Sequence, residues 1–299
     1  MDIIGHKHVV DFFDKVIEHN NLSHAYCFVG PEHVGKRTVA EAIAAKLLKV
    51  DVKALKNQPD YCCTERAMDE KTEKLKKDIS IEQIRYLISL LSQSSFIRGG
   101  YKVSIIDHAE HLSVGASNAL LKTLEEPKDD TVLFLIAQDE TSLLPTIRSR
   151  CQMIYFGTVG EEMLKTFALS QHVDEAEAAD MAHCAYGAPG LMVLWIKDPT
   201  AFIAYKEEVE RFNSLKGKSF YEKIAAVESL FGDKTDHISA REDLTSRLNI
   251  WHSHIHEIIQ NKSNFQDIVA WEHDMVRAKA MLAQNIHPRL LVEHLLLLI

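Results

Sequence analysis

The feature that most constrains the fold is a glycine-rich loop between an apolar run and a helical pattern. Residues 25–29, AYCFV, are apolar and end at Gly30. The next residues, GPEHVGK, have the spacing G-x-x-x-x-G-K, and an alanine-rich helical pattern follows. In this context the glycines permit a tight loop whose backbone N–H groups face an anion, and the helix N-terminus adds positive potential. The sequence predicts a phosphate-binding loop; the alternative is a structural turn of the same shape.

The predicted nucleotide site is degenerate. Between them, Gly30 and Gly35 shape the loop, and Lys36 is expected to reach the outer phosphates. The hydroxyl residue that would bind Mg²⁺ should follow directly, but the sequence has Arg37 there and Thr38 one place later. A shift of one residue turns a helical side chain by about 100°, so we expect Thr38 to substitute poorly.

Alternating segments extend an α/β pattern through the first half of the chain. Near-continuous apolar runs at 102–107 and 132–137 are typical of strands covered on both faces. Between them a helical pattern begins at Val114 and ends before Pro127, which cannot continue a helix. A capping-box sequence begins at Ser80. This alternation predicts a central parallel sheet with helices on both sides.

The second half has a different pattern. After about Phe156 helical periodicities follow one another without a clear strand pattern. The turns at 198–199 and 216–218 are candidate boundaries. The predicted architecture is therefore an α/β P-loop domain followed by a small all-α domain and a larger all-α domain.

Composition limits the functional classes. The chain has 34 Lys and Arg against 43 Asp and Glu, a formal net charge of −9. This balance argues against a protein that coats DNA by itself, because that role needs a basic field. It does not exclude contact with DNA inside an assembly.

The five scattered cysteines include no C-x-x-C pair, and the N-terminal residues do not resemble a signal peptide. We expect a cytoplasmic protein without disulfides.

A second chemical position follows the strand predicted at 102–107. Asp107 ends that strand, where a carboxylate that organises Mg²⁺ lies beside a phosphate loop. Many ATPases of this architecture place glutamate next, but here the residue is His108, and Glu110 follows two places later. A histidine can act as a base, but it lacks the fixed negative charge with which a glutamate polarises water beside Mg²⁺. We expect weak or absent ATP hydrolysis; the alternative is a working ATPase that uses Thr38 for Mg²⁺ and His108 as base.

Three strings in the first half carry a resemblance to a known family: GGYKVSIID, NALLKTLEEP and LLPTIRSRC. With the phosphate loop and the C-terminal NIHPRLLVEHLLL, they make the chain similar over essentially its whole length to the delta-prime family of bacterial clamp-loader subunits, of the AAA+ class. The resemblance implies an AAA+ P-loop domain at 1–157, a small all-α lid domain at 158–205 and an all-α collar domain at 206–299 that joins neighbouring subunits.

The resemblance also assigns a role to the SRC motif, Ser149-Arg150-Cys151. It implies that Arg150 is an arginine finger offered in trans to ATP on a neighbouring subunit. A planar, permanently charged guanidinium suits that role because it can bind two phosphate oxygens. The alternative is that Arg150 pairs with a carboxylate on its own surface.

Other family positions depart from the active pattern. Gly190 stands where active members of the class carry an arginine that senses the γ-phosphate. Arg37 and His108 are two further departures of the same kind. Together they predict a subunit of the polymerase holoenzyme that has no ATPase activity of its own and that binds ATP or ADP with Mg²⁺ weakly if at all.

Related subunits carry a four-cysteine zinc module. The corresponding part of this chain has only Cys62 and Cys63, so we expect no zinc and predict no metal ligands.

The implied partners are gamma/tau-type and delta clamp-loader subunits in a hetero-pentamer. The sliding clamp and primed DNA would be reached through that complex, and no membrane is involved. A DNA-binding module that acts alone is the remaining rival, and the net acidity opposes it.

Overall fold

The computed structural model describes residues 3–69, 75–97, 99–128, 130–228, 239–261, 274–275, 277–278, 281 and 288–298. The chain divides into two compact units, residues 1–193 and 194–299. The three-domain division expected from the resemblance stays a prediction.

The first unit is built around a five-stranded sheet in which every pairing is parallel. Its strands are β1 (Ala25–Val29), β2 (Tyr61–Thr64), β3 (Lys102–Ile106), β4 (Thr131–Ala137) and β5 (Gln152–Tyr155). Their order across the sheet is β2-β3-β4-β1-β5. Because the strands are parallel, the loops after β1 and β3 leave the sheet at the same edge, where we predicted the phosphate loop and Asp107.

Helices surround this sheet and continue after it. The unit contains α1 (Lys7–Glu18), α2 (Lys36–Leu48), α3 (Ile81–Ser92), α4 (Val114–Glu125), the short α5 (Pro145–Arg148), α6 (Glu161–Ser170) and α7 (Glu175–Cys184). Next comes α8 (Pro189–Lys197), which crosses the boundary between the units. The predicted α/β architecture, a central parallel sheet with helices and with helical segments after it, is confirmed.

The alternation of side chains along β1 explains why both faces of the sheet are covered. Tyr26 and Phe28 lie in one apolar cluster with residues of α1 and α2. Cys27 lies in a second cluster, with residues of α3 and α4. Successive strand residues point to opposite faces, so a continuous apolar run is required here. Its burial confirms the two-sided sheet that the run predicted.

The sequence signal for the start of one helix is confirmed, whereas two strands have no clear sequence signal. The Ser80 hydroxyl accepts a hydrogen bond from the backbone N–H of Gln83, whose side chain accepts one in return, so the predicted capping box begins α3. The two strands without a sequence signal are the edge strands β2 and β5. Both have four residues, and β5 has two partly buried residues between exposed ends, so neither forms a long, fully buried apolar run.

The regular elements among the described residues of the second unit are helices. They are α9 (Pro199–Leu215), α10 (Phe220–Val227), α11 (Ser239–Asn261) and α12 (Pro288–Leu298). The buried Trp251 indole donates a hydrogen bond of 2.9 Å to Glu208, which also pairs with Arg247. Residues 285–287 of the C-terminal family string lie outside the described residues. None of the helices described here has the length and apolar character needed to cross a membrane.

Candidate functional site

The loop between β1 and α2 has the tight geometry that its glycines predict. A Cβ atom on Gly30 would lie 2.3 Å from the carbonyl oxygen of Phe156, so no larger residue fits. Gly35 precedes α2 with a φ of 103°, in the left-handed region that favours glycine. Glycine is therefore required at the two positions for different reasons. At Gly30 the Phe156 backbone comes too close for a side chain, and at Gly35 the backbone is left-handed.

A cavity of about 300 Å³ lies beside this loop. It brings together most of the predicted nucleotide-site residues with others, from the loop, α2, the turn after β3 and the start of α8. The predicted residues among them are Gly35, Lys36, Arg37, Thr38 and Asp107, and His108, Glu110 and Gly190 line the same cavity.

The Lys36 ammonium group is turned onto its own loop. Its Nζ donates hydrogen bonds of 2.5 Å to the carbonyl oxygen of Gly30 and 2.6 Å to that of Pro31. The side chain is buried, and this burial lowers the pKa of Lys36. In the chain alone, the lysine predicted to reach phosphates thus binds two carbonyl groups of its own loop.

The guanidinium of Arg37 is bound by three carboxylates. Its nitrogen atoms lie 3.0 Å from Glu41, 2.7 Å from Glu65 and 2.8 Å from Asp107. Asp107 is the most buried of the three carboxylates, with a side chain that is 9% exposed. The carboxylate predicted to organise Mg²⁺ therefore already has a cation against it.

Sequence reasoning did not find Glu41 and Glu65. Glu41 lies four residues after Arg37 on α2, a spacing that favours ion pairs and could have indicated the contact. Glu65 directly follows β2. Because that strand was not predicted, nothing placed its end at the same sheet edge as the phosphate loop.

The turn after β3 carries an ion pair in place of the usual catalytic glutamate. His108 has a φ of 52°, in the left-handed region, and its Nδ1 lies 3.3 Å from Oε1 of Glu110. The hydrogen bond to Glu110 raises the pKa of His108. Burial is the largest single effect on Glu110 and opposes its charge, but the hydrogen bond with His108, the backbone N–H of Glu110 and the nearby histidines together outweigh it and lower the pKa of Glu110. Each group stabilises the charged form of the other.

The start of α8 packs directly on the phosphate loop. The backbone N–H of Gly190 donates a hydrogen bond of 2.7 Å to the carbonyl oxygen of His33. A Cβ atom at Gly190 would lie 2.8 Å from that same oxygen. The position expected for a phosphate-sensing arginine thus has no room for a side chain without movement of the loop backbone.

Arg150 lies outside this cavity, on another surface of the first unit. Its guanidinium donates to the carbonyl oxygen of Thr146 at 2.9 Å and to the Ser149 hydroxyl at 3.1 Å, and lies 2.7 Å from the Glu125 carboxylate. The Arg150 side chain is 34% exposed and lines an open surface cavity of about 650 Å³. In the chain alone it pairs with a carboxylate of its own surface; action in trans stays a prediction.

The other two residues of the SRC motif differ in role. Ser149 bonds the Arg150 guanidinium and so orients it. Cys151 packs against the apolar cluster of α3 and α4, and burial raises the pKa of its thiol to about 12. A thiol with such a pKa is not nucleophilic at neutral pH, so Cys151 contributes packing next to the arginine.

Comparison with known proteins agrees with the motifs. The family model described as DNA polymerase III, delta subunit matches residues 5–160. The delta' subunit of DNA polymerase III from Pseudomonas aeruginosa is 40% identical over 143 residues, which are 43% of this chain and 42% of that protein. The DNA polymerase III subunit tau of Bacillus subtilis is 31% identical over 172 residues, 54% of this chain and 30% of that protein. A solved DNA polymerase III, gamma subunit-related protein from Thermotoga maritima covers 95% of this chain and 97% of its own, with a TM-score of 0.47 and 18% identity.

The chain spans less than half the length of the two curated relatives. The family match nevertheless covers more than half of the chain, residues 5–160, and contains the phosphate loop, Asp107 and the SRC motif. The chain therefore belongs to the delta-prime-like clamp-loader family of DNA polymerase III subunits.

Proposed function

We propose that the chain is a delta-prime-type subunit of a bacterial sliding-clamp loader, which has no ATPase activity of its own and offers Arg150 to ATP on a neighbouring subunit. The observation that carries the first part is the ion pair between Arg37 and Asp107, 2.8 Å long at the position where Mg²⁺ would bind. The family membership and the exposed position of Arg150 support the second part.

The residues of the phosphate-loop cavity fit Mg²⁺ poorly. Mg²⁺ requires oxygen ligands at about 2.0–2.1 Å in octahedral geometry. Asp107 would have to exchange a charge-assisted bond with Arg37 for the metal, and no hydroxyl group occupies position 37. ATP or ADP would therefore bind weakly, and we derive no hydrolytic step at this site.

Water activation is also impaired in the same cavity. The residue after Asp107 is His108, whose Nδ1 is engaged with the carboxylate of Glu110. The hydrogen bond to Glu110 raises the pKa of His108 and so favours the protonated imidazole, the form that cannot accept a proton from water. At Gly190, the close approach of the His33 backbone leaves no room for the phosphate-sensing arginine of active members of the class.

Arg150 has the features that action in trans requires. It is partly exposed, oriented by Ser149, and paired with Glu125, whose side chain is 50% exposed. Exposed ion pairs contribute about 0–1 kcal/mol, so exchanging Glu125 for a phosphate oxygen costs little. An arginine finger that completes a site accelerates phosphoryl transfer by about 10³–10⁵.

The proposal implies specific partners. The chain would assemble in the cytoplasm with gamma/tau-type and delta subunits in a hetero-pentamer, and it would reach the sliding clamp and primed DNA through that complex. In that complex the chain would be a fixed member that does not hydrolyse ATP, beside subunits that do.

The test is ATP hydrolysis by the complex reconstituted with gamma/tau and delta subunits, with clamp and primed DNA. We expect Arg150→Ala to lower the DNA-stimulated rate at least tenfold while size-exclusion chromatography shows the complex intact. Arg148→Ala is the matched control, because Arg148 lies two residues earlier and has a similar exposure, 33% against 34%. Equal rates for wild type and Arg150→Ala would refute the arginine finger.

A second candidate is a working ATPase, which the position of Thr38 beside the cavity favours. In that case the isolated chain would hydrolyse Mg-ATP in the presence of primed DNA, and Lys36→Ala would abolish the turnover. We expect no turnover above background for either protein. A measurable rate that depends on Lys36 would favour the working ATPase.

A further inference from the structure

We propose that His108, Glu110 and His111 form a binding site for a divalent transition-metal ion such as Zn²⁺. The three residues lie in and beside the turn of 3₁₀ helix at Ala109–His111, directly after β3. This site is separate from the four-cysteine module discussed above and does not depend on the proposed arginine finger.

The distances between possible ligand atoms suit a metal ion. One atom from each of the three side chains lies within 4.8 Å of the others. Tetrahedral Zn²⁺ with bonds of about 2.0–2.1 Å holds its ligand atoms about 3.3–3.4 Å apart. His108 Nδ1 and Glu110 Oε1 are already 3.3 Å apart. A movement of at most about 1.5 Å by the His111 ring brings the third ligand to the same spacing.

The donor chemistry is also suitable. Two imidazoles and one carboxylate are a known ligand set of zinc sites that keep an open coordination position. Glu110 has a side chain that is 13% exposed, and its Oε2 atom is buried without a hydrogen-bond partner among the described residues. A buried, unpartnered carboxylate oxygen is costly, and a metal ion bound to Glu110 would lower this cost.

The backbone holds the three side chains before any ligand binds. The N–H of His111 donates to the carbonyl oxygen of His108 at 2.9 Å, and the carbonyl oxygen of His111 accepts from Ile79 at 2.7 Å. His108 has a left-handed backbone conformation with a φ of 52°, and the centroids of the His108 and His111 rings are 6.1 Å apart. Such preorganisation reduces the entropy lost on binding.

The remaining coordination position would face the phosphate-loop cavity, because His108 and Glu110 both line it. A water molecule or another small oxygen ligand would complete the shell there. His108 would exchange its ion pair with Glu110 for a shared metal ion, which both groups bind in their deprotonated forms.

The test is titration of the chelator-treated full chain with Zn²⁺ in competition with a chromophoric chelator, and with Co²⁺ followed by visible absorption. We expect one equivalent of each metal to bind, with a Co²⁺ spectrum of a low-coordinate site. His111→Ala should weaken Zn²⁺ binding at least tenfold, because even residues behind the ligands change affinity by about 10–100-fold.

The matched control is His183→Ala. His183 lies 3.6 Å from Glu161 but belongs to no group of three metal-ligating side chains among the described residues. Its replacement should leave Zn²⁺ affinity unchanged. Circular dichroism checks the fold, and Glu110→Gln is a second variant if His111→Ala does not fold. Absence of stoichiometric binding, or equal affinity in wild type and the cluster variants, would overturn the proposal.

Discussion

Arg37 and Arg150 carry the same guanidinium group in different surroundings. Arg37 is bound by three carboxylates at distances of 2.7–3.0 Å, one of them nearly buried. Arg150 pairs with Glu125, which is half exposed. Because charged hydrogen bonds strengthen where water is excluded, Arg37 is held at its site, whereas Arg150 can exchange its partner. The two arginine side chains are themselves similarly exposed, 36% and 34%, so at the scale of the residue the number and burial of the carboxylate partners decide which arginine is structural.

The role of Arg37 predicts how a Mg²⁺ site could be restored. In Arg37→Ser the guanidinium is removed from Asp107 and a hydroxyl stands at the position where Mg²⁺ is normally bound. We expect Mg²⁺-dependent binding of a fluorescent ATP analogue to tighten about tenfold, since a hydrogen bond to a charged group contributes about 1.5–3 kcal/mol. Arg37→Lys, which keeps the positive charge, should bind like wild type. The same affinity in all three proteins would contradict this role.

The packing of Gly190 predicts a second residue-scale effect. In Gly190→Ala the new Cβ would lie 2.8 Å from the carbonyl oxygen of His33, so the backbone of the loop or of α8 must shift. We expect the free energy of unfolding, measured in urea, to fall by about 1–3 kcal/mol. Gly157→Ala is the control because a Cβ there meets nothing within 4 Å. If the two variants are equally stable, the close contact of α8 with the loop is not a constraint.

At the scale of elements, parallel strands bring the site together. The phosphate loop follows β1, Asp107 follows β3 and Glu65 follows β2, so all three leave the sheet at one edge. The sequence predicted the first two because buried strands have a continuous apolar signal. It did not predict the third, since an edge strand of four residues has too little periodicity to distinguish it from a loop.

The start of α1 is attached to the phosphate loop by one buried histidine. His6 Nε2 donates a hydrogen bond of 2.8 Å to the carbonyl oxygen of Val34. Burial is the largest effect on His6 and lowers its pKa below the ordinary 6.5, although the bond to Val34 opposes the shift and nearby His8 adds to it. The unfolded chain therefore binds a proton at a higher pH than the folded chain, and acid favours unfolding.

This pKa direction predicts the pH dependence of stability. As pH falls below 6.5 toward the lower folded pKa, His6 takes stability away from the folded state. We expect the urea midpoint of wild type to drop more between pH 7.5 and pH 5.5 than that of His6→Gln. Equal drops in the two proteins would show that His6 is not linked to folding in this window.

At the scale of the whole molecule, the charge balance agrees with a subunit that acts through others. The net charge is −9, and the residues proposed to act on ATP amount to one partly exposed arginine. A protein of this kind needs no basic surface of its own, because neighbouring subunits would supply the contacts with phosphate backbones.

The acidity predicts how the isolated chain behaves toward DNA. Labelled primed DNA should show no change in fluorescence anisotropy with micromolar protein at 50 mM salt, since a net charge of −9 gives little counterion release. The reconstituted complex is the positive control in the same buffer. Binding by the isolated chain that weakens steeply between 50 and 200 mM salt would contradict this prediction and revive the DNA-binding module.

The sequence by itself determined the features that depend on local spacing: the glycine loop, the three central strands, the helix starts and the SRC motif. Periodicity and turn chemistry act over a few residues, so they can be recognised without the fold. Only the tertiary structure decided that Arg37 meets Asp107, 70 positions away in the chain, and that Gly190 packs on His33. These contacts depend on which strands and helices are neighbours, which no local pattern encodes. The sequence therefore predicted a degenerate phosphate loop, and the fold added that Asp107, the carboxylate predicted to organise Mg²⁺, pairs with the chain's own Arg37.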